Sequence, residues 1–311
     1  MINVLTHRAG ALAEIRKYFS QNYALEVDTP LLKSHTVTDP YMRALQAVNP
    51  DGKFSGYLQT SPEYSMKELL SEGSGDIYQL GKTFRADESG NHHAIEFTML
   101  EWYRISWSYQ QLMDEVHQII ELIAGERSRE DFTYRQAFLE FLEIDPFDID
   151  EITLREFSIN KMGALPEDLN FDNYLTLLFS ELIEPQFSPE KVTFVYDFPV
   201  SQASLAKRKP DSSPQVACRF EAYCGGLEIA NGFEELTDPV EQLARFNEDN
   251  QIRKSLGYPE QKIDMQLIDA LKRGLPECSG VALGFDRILM LAMSKQNIKD
   301  ILPMSFSSDK Y

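Results

Sequence analysis

The sequence predicts an α+β fold in which a mainly antiparallel sheet is flanked by helices. Three observations carry this. Short apolar runs with period-two alternation recur along the chain, and the segments joining them are turn-sized more often than helix-sized, which favours antiparallel over parallel pairing. Helical periodicity is confined to a few amphipathic stretches, with no internal repeat and no low-complexity linker. At 311 residues, 43% hydrophobic and 25% charged, the chain can bury a sizeable core. We read residues 1–311 as a single domain with a helical insertion at about 125–190.

Val4, Leu12, Ile15 and Phe19 lie near helical spacing over 4–22, and Leu25 and Val27 suggest a strand closed by Thr29-Pro30, since proline removes a ladder donor. Alternating runs at 44–48 and 55–60 flank Asn49-Pro50-Asp51-Gly52, a turn signal that predicts a β-hairpin. Ser61-Pro62-Glu63 opens a helix to about Leu70, with Ser61 or Thr60 as cap; Glu63, three residues after Thr60, then reads as a capping-box glutamate. Segments 77–84 and 95–103 read as strands around a polar loop at 86–94. Leu112, Met113, Val116, Ile119, Ile120 and Ile123 form one face of an amphipathic helix.

From 125 to 190 short helical patterns alternate with Pro146, Pro166, Pro185 and Pro189, and no polar cluster there suggests chemistry. Strands return at 192–198, 217–223 and 227–230, with Gly225-Gly226 as the turn between the last two. Segments 238–256 and 264–271 read as helices, and 281–283 as a strand running into a helix that begins near Phe285.

A net charge of −19 argues against a broad nucleic-acid surface, because Lys and Arg supply most non-specific phosphate affinity. The basic clusters Lys207-Arg208-Lys209 and Arg253-Lys254 read as solvated charge. Cys218, Cys224 and Cys278 form no CxxC pair and read as reduced core residues rather than a disulfide framework or zinc site. No apolar run approaches the roughly 20 residues needed to span a bilayer, and the N-terminus lacks a signal-peptide pattern, so a cytoplasmic protein with no membrane partner is expected.

Two arginines sit where phosphate chemistry would need them. Arg85 opens a loop after an apolar strand and can clamp a carboxylate and a phosphate together; Arg287, after the Gly-rich strand that ends at Gly284, can hold the far end of a triphosphate. Arg287 can equally pair with its neighbour Asp286. Period two over 95–103 places Phe97, Met99, Glu101 and Tyr103 on one face. A buried carboxylate at Glu101 requires a cation, either Arg85 or a ligand ammonium. Glu228 and Glu235 stand seven residues apart across an Asn231-Gly232 turn, where they can meet Mg²⁺ and a substrate amine or lie on a solvated surface.

Jointly, Glu63, Arg85, Glu101, Tyr103, Glu228, Asn231, Phe233, Glu235, Gly284 and Arg287 resemble, in order and near spacing, the catalytic domain of class II lysyl-tRNA synthetases. The resemblance covers nearly the whole chain. Thr29-Pro30 resembles that family's first motif, which forms a dimer interface; 84–103 resembles the second and 280–287 the third, with Glu228-Ile229-Ala230-Asn231-Gly232-Phe233 as a lysine-pocket signature. It implies a class II catalytic fold and a homodimer. It further implies that Ser61, Pro62, Glu63, Tyr103 and Glu235 line an amino-acid pocket with Glu101, Asn231, Phe233 and Ala282 beside them. ATP would be held by Arg85, Ala86, Asp87, Ala94, Glu228, Ile229, Gly284 and Arg287, with Mg²⁺ on Glu228 and Glu235. Arg85, Arg287 and Glu228 would be the catalytic residues.

The departures from that family narrow the expected activity. The first helix begins almost at Met1, which leaves no room for the N-terminal barrel that reads the anticodon, so tRNA is not an expected partner. Ala282 stands where glycine is usual, and Ser201-Gln202-Ala203-Ser204-Leu205-Ala206 replaces a Ser-Pro-Leu-Ala segment; an added methyl in a tight pocket changes which ligand it accepts. These features resemble the truncated members of the family, which activate (R)-β-lysine with ATP and attach it to a lysine side chain of elongation factor P. The resemblance therefore implies lysine or (R)-β-lysine as substrate and elongation factor P as partner. Even there the second motif reads Arg85-Ala86-Asp87-Glu88 where Arg-Asn-Glu-Glu is usual, and His93-Ala94-Ile95 where His-Asn-Pro is usual, so Ala94 cannot supply an asparagine's contact to adenine. Two other readings remain: a free-standing synthetase acting on tRNA, and a catalytically silent amino-acid-binding regulatory paralogue. Retention of Arg85, Arg287, Glu228 and Glu235 speaks against silence.

Overall fold

A computed structural model of the chain describes residues 2–87, 90–166 and 169–304; Glu88 of the second motif lies outside them. The chain forms two compact units, one of residues 1–126 with 234–311 and one of 127–233.

In the first unit, helix α1 (Ile2–Gln21) buries Arg8, Ala11, Ile15 and Phe19, a single stripe at three- and four-residue spacing. β1 (Leu25–Glu26) follows, then β2 (Leu32–Lys33), β3 (Gln46–Val48) and β4 (Phe54–Leu58). The expected hairpin is present: β3 and β4 pair antiparallel, and Asn49 Oδ1 accepts from Asp51 N at 3.1 Å and Lys53 N at 2.8 Å, which folds the turn. β2 joins the other edge of β4 to make a three-stranded sheet. Helix α2 (Glu63–Ser71) starts where expected but is capped differently, because its N-cap is Pro62 and no side chain caps it. Thr60 and Glu63 therefore make no capping box.

β5 (Ile77–Phe84) and β6 (Glu96–Ile105) pair antiparallel, Ile77 opposite Tyr103 through Phe84 opposite Glu96, and β1 lies parallel to β5. Helix α3 (Tyr109–Ala124) opens on a full capping box between Ser108 and Gln111 and buries Leu112, Met113, Val116, Ile119 and Ile120; Ile123 at its end is half-buried. Glu115, also buried on α3, accepts from Trp102 Nε1 at 2.8 Å and Arg104 Nε at 3.0 Å, so the polar atoms of β6 that face this helix are satisfied.

In the second unit, β7 (Ser128–Thr133) precedes α4 (Tyr134–Leu142), α5 (Glu151–Met162) and α6 (Phe171–Leu178), followed by β8 (Lys191–Pro199), β9 (Val216–Cys224) and β10 (Leu227–Glu234). These strands lie in the order β10-β9-β8-β7, antiparallel except for β7 beside β8. The 125–190 stretch is thus helical, as expected, apart from β7. That strand escaped the sequence reading because Ser-Arg-Glu-Asp-Phe-Thr has one large apolar residue and no alternation. Tyr134, Phe138, Phe179, Phe187, Phe198 and Tyr223 form the core of this unit. Gly225 and Gly226 take φ of 62° and 71°, the left-handed pair that a two-residue hairpin demands.

The chain then returns to the first unit with α7 (Pro239–Ser255), capped by Asp238, then α8 (Met265–Gly274), β11 (Cys278–Gly284) and α9 (Phe285–Ala292). β11 pairs antiparallel with β6, so the strand order here is β1-β5-β6-β11. All three cysteines are free and buried. No helix among the described residues is long and apolar enough to cross a membrane.

Candidate active site

The register of β6 and β11 builds the first part of the site. Tyr103 stands opposite Gly280, Glu101 opposite Ala282 and Met99 opposite Gly284. Directly paired residues share a face, so period two places these six on one side of the sheet, as the alternation of 95–103 had indicated for β6. Gly280 is required there: a Cβ would lie 2.3 Å from Tyr103 Cε1 and 2.6 Å from Glu235 Oε1.

Glu101 is only 2% exposed. Its Oε1 accepts from the Tyr103 hydroxyl at 2.8 Å, and its Oε2 is buried with no hydrogen-bond partner among the described residues. The expected alternative, an internal pair with Arg85, is not formed. Burial pushes the Glu101 carboxyl well above the usual carboxylate range, and the charge of Glu63 adds to the shift. Burial likewise raises the Tyr103 phenol, with Glu101 as the next cause.

Glu63 and Glu235 complete an acidic pocket, and the sequence reading missed the residue that joins them. Lys67, one turn after Glu63 on α2, lies 2.7 Å from Glu63 Oε1 and 2.5 Å from Glu235 Oε2. Its side chain is 1% exposed and that of Glu235 fully buried. Burial opposes charge on Lys67, but Glu235 and Glu63 outweigh it and the ammonium is stabilised. The Glu235 carboxyl is pushed up to about 8, by burial first and by Glu63, against the pull of Lys67. The sequence did carry a signal, since Glu63 and Lys67 have i,i+4 spacing, but that pattern marks exposed helical pairs far more often than buried ones.

Arg85 leaves β5 with its Nε 3.4 Å from Thr60 O and its guanidinium 5.3 Å from the centre of the Phe97 ring. It lines a cavity of about 140 Å³ with Asp39, Tyr41, Met42, Arg43 and Asp87. Asp87 Oδ2 is paired with Arg43 Nε at 2.8 Å, and Ala86 N donates to Arg43 O at 2.8 Å, so the second-motif loop is anchored on residue 43. Arg287, on the first turn of α9, reaches the same loop. Its Nη2 lies 2.6 Å from His93 Nε2, and its Nε donates to His92 O at 3.4 Å. It does not pair with Asp286, which is committed to Arg8 and to Thr98 N. Ala94 is half-buried in that loop, Ser61 half-buried before α2 and Pro62 buried at its start.

The second unit carries Glu228, Asn231 and Phe233, and corrects one expectation. Asn231-Gly232 is not a turn: both residues lie in β10, opposite Glu221 and Phe220 of β9. The register slips at Ile229, which has no partner, so that Glu228 pairs with Tyr223 and Ala230 with Ala222. This bulge moves Glu228 onto the face shared by Asn231 and Phe233, from which plain alternation would exclude it. On β9 the same face presents Arg219, Glu221 and Tyr223, all missed from sequence. Asn231 Nδ2 donates to Glu221 Oε1 at 3.2 Å, and Arg219 Nε donates to Asn231 Oδ1 at 3.3 Å, which fixes the Asn231 amide. Burial raises the Glu221 carboxyl, with Arg219 opposing and Glu228 adding. Ala203 and Ala206 of the altered segment pack with Ala217 against Phe233.

Each unit therefore gathers its own share of the expected residues: Glu63, Glu101, Tyr103, Glu235, Ala282 and the two arginines in the first, and Glu228, Ile229, Asn231 and Phe233 in the second. Among the described residues no group of three or more His, Cys, Asp or Glu side chains could hold a metal by itself. A Mg²⁺ carried on substrate phosphates needs only one or two protein carboxylates. The half-buried Glu228 fits that need, whereas Glu235 gives its Oε2 to Lys67.

Residues 1–307 match the family of class II tRNA synthetases (D, K and N). The chain is 48% identical over 307 residues to the elongation factor P (R)-β-lysine ligase of Yersinia enterocolitica, covering 96% of this chain and 93% of that protein. It is similar to the enzyme of that name from Photorhabdus laumondii at 47% identity, covering 97% and 95% of the two chains. To the one from Yersinia pestis it is 46% identical, over 96% and 93%.

Proposed function

We propose, because this chain belongs to the class II tRNA synthetase family, that it is an ATP-dependent ligase which activates (R)-β-lysine or lysine and transfers it to a lysine side chain of elongation factor P. The observation that carries the substrate is the buried acidic pocket, where Glu101 Oε2 and Glu235 Oε1 have no hydrogen-bond partner among the described residues. Such acceptors are costly until a cation meets them, and an ammonium is the complementary group.

In the first step a substrate carboxylate oxygen attacks the α-phosphorus of ATP, an O–P bond forms and diphosphate leaves. The nucleophile is already ionised, so no general base is needed; the requirement is in-line placement and neutralisation of charge that builds on the phosphates. Arg85 and Arg287 suit that role, with Ala86, Asp87, Ala94, Ile229 and Gly284 around the nucleotide and Mg²⁺ met by Glu228. Glu235 was expected to share the metal; in this reading its Oε2 holds Lys67 and its Oε1 is reserved for the substrate ammonium. In the second step the acceptor amine attacks the activated carbonyl, a C–N bond forms, AMP leaves and one proton is released. Only about 10⁻³ of a lysine side chain is neutral at pH 7, so unaided transfer accelerates with pH. Ala282 faces Glu101 and adds one methyl to the pocket wall, which is our basis for a preference between lysine isomers. Ser61, Pro62, Asn231 and Phe233 belong to the same proposed pocket. A cytoplasmic homodimer completes the reading.

The test is the intact mass of elongation factor P after incubation with this chain, ATP, Mg²⁺ and (R)-β-lysine, beside the same mixture with α-lysine or with tRNA as acceptor. A gain of one lysyl residue, larger with the β isomer, is expected. Pyrophosphate exchange without any mass gain would point to another acceptor, tRNA included; no exchange at all would favour a silent amino-acid-binding protein.

A further inference from the structure

We propose that Lys67 is a built-in counter-ion that positions Glu63 and Glu235 and thereby fixes where the pocket accepts a substrate ammonium. This rests on the reading of the pocket as the amino-acid site. Lys67 is a positioning residue, acting on substrate through the two acids.

Three carboxyl groups, Glu63, Glu101 and Glu235, crowd one largely buried space, and Lys67 brings its ammonium to two of them. Without Lys67, the fully buried Glu235 would face Glu63 with no cation between them, an arrangement that like-charge repulsion would open. With Lys67 in place, Glu235 Oε2 and Glu63 Oε1 are tied together from the α2 side. None of Glu235 Oε1, Glu235 Oε2 and Glu101 Oε2 accepts a hydrogen bond among the described residues, and of the three only Glu235 Oε2 has the ion pair to Lys67, so Glu235 Oε1 and Glu101 Oε2 are left for a ligand. Glu235 Oε1 is also the atom that abuts Gly280, so it is oriented toward the sheet face carrying Glu101, Tyr103 and Ala282. Two oxygens are thus aimed before substrate arrives, and the ordering cost falls on folding rather than on binding.

The same arrangement limits what the pocket takes. Lys67 offsets one of the three carboxyl groups, which leaves two to meet the two ammonium groups of a diamino acid. A pocket without Lys67 would have gained room and charge for an additional cation. The structure thereby assigns to Lys67 a part in selecting diamino acids over smaller neutral amino acids, because aimed acceptors left without an ammonium are penalised.

The test uses the full chain in lysine-dependent pyrophosphate exchange, with the KM for lysine and for ATP measured separately and thermal melting recorded for each variant. Lys67→Met keeps the volume and removes the charge. It should raise the lysine KM by about 30-fold while the ATP KM is unchanged. Lys67→Ala should recover part of its lysine affinity when n-butylammonium is added, but not with n-butanol. A lysine KM unchanged in a folded Lys67→Met protein, equal increases in both KM values, or equal rescue by butanol would each overturn the proposal. If neither variant folds, Lys67→Arg decides: the charge is kept but the larger planar head displaces Glu63 and Glu235 from the positions an ammonium sets, so the lysine KM alone should rise about 10-fold, and an unchanged value sinks the idea. Wild-type protein that shows no lysine-dependent exchange would instead defeat the functional reading on which this rests.

Discussion

Glu101 is held in a state that favours its protonated form until a cation arrives. In the unfolded chain its carboxyl titrates near 4.5, whereas burial and Glu63 raise it well above that in the folded protein. A carboxyl whose folded value is raised contributes stability that is complete below about pH 4.5 and is lost as pH rises through the folded value. Glu235, at about 8, acts in the same direction, and Lys67 stays charged throughout. The melting temperature of the ligand-free protein should therefore fall from about pH 5 to about pH 8.5, and saturating lysine should remove most of that slope. Glu101→Gln should flatten the slope as well, yet raise the lysine KM by about 100-fold because the amide cannot neutralise an ammonium. Melting curves across this range settle it: a variant that slopes like wild type would show that Glu101 is not the titrating group. Gly280 gives a second check at this scale. Gly280→Ala forces a methyl against the Tyr103 ring and Glu235, so it should cost about 1–3 kcal/mol in urea unfolding and raise the lysine KM more than the ATP KM.

At the scale of elements, the legible features were those with a local period. The alternation over 95–103, the stripe of α3 and the glycine pair at 225–226 each fix a conformation through their own side chains, and the structure places all three as read. What was not legible depended on a partner far away in sequence. The bulge at Ile229 has no local signature, yet it alone brings Glu228 to the face of Asn231. Lys67 looked like an ordinary helical lysine until Glu235 was packed against it. Arg8 is similar, a charged residue on a helix stripe that otherwise reads as apolar. It is buried, with Nη1 2.5 Å from Asp286 Oδ1 and Nη2 2.5 Å from Thr98 Oγ1, and so ties α1 to α9 and β6. Asp286 also accepts from Thr98 N at 2.6 Å, which explains why Arg287 is left to engage the 85–95 loop. Arg8→Met strands a buried carboxylate and should destabilise the protein by about 3 kcal/mol. Arg8→Met with Asp286→Asn should recover part of that loss in urea unfolding; a double variant no more stable than the single would mean the loss came from packing.

For the whole molecule, charge and exposed apolar surface pull in opposite directions, and that opposition is testable. The chain carries −19, so two copies would repel at long range. The first unit nevertheless leaves large apolar side chains exposed at Leu25, Leu31, Leu32, Val48 and Phe54, the last two paired across β3 and β4. Leu25, Leu31 and Leu32 flank Thr29-Pro30 in sequence, the segment that resembles a dimer-forming motif. Exposed apolar residues grouped in this way mark an interaction surface, and here a second copy of the chain is the proposed occupant. If apolar contact holds that dimer against charge repulsion, added salt screens the repulsion and leaves the contact intact. The dimer should therefore tighten between about 0.01 M and about 0.3 M salt, whereas one held by ion pairs would loosen. Sedimentation velocity across that range distinguishes the two. Phe54→Asp, which adds a charge to the exposed face of β4 without touching the lysine pocket, should shift the population to monomer at every salt concentration. A dimer indifferent to both salt and Phe54→Asp would place the interface elsewhere on the protein.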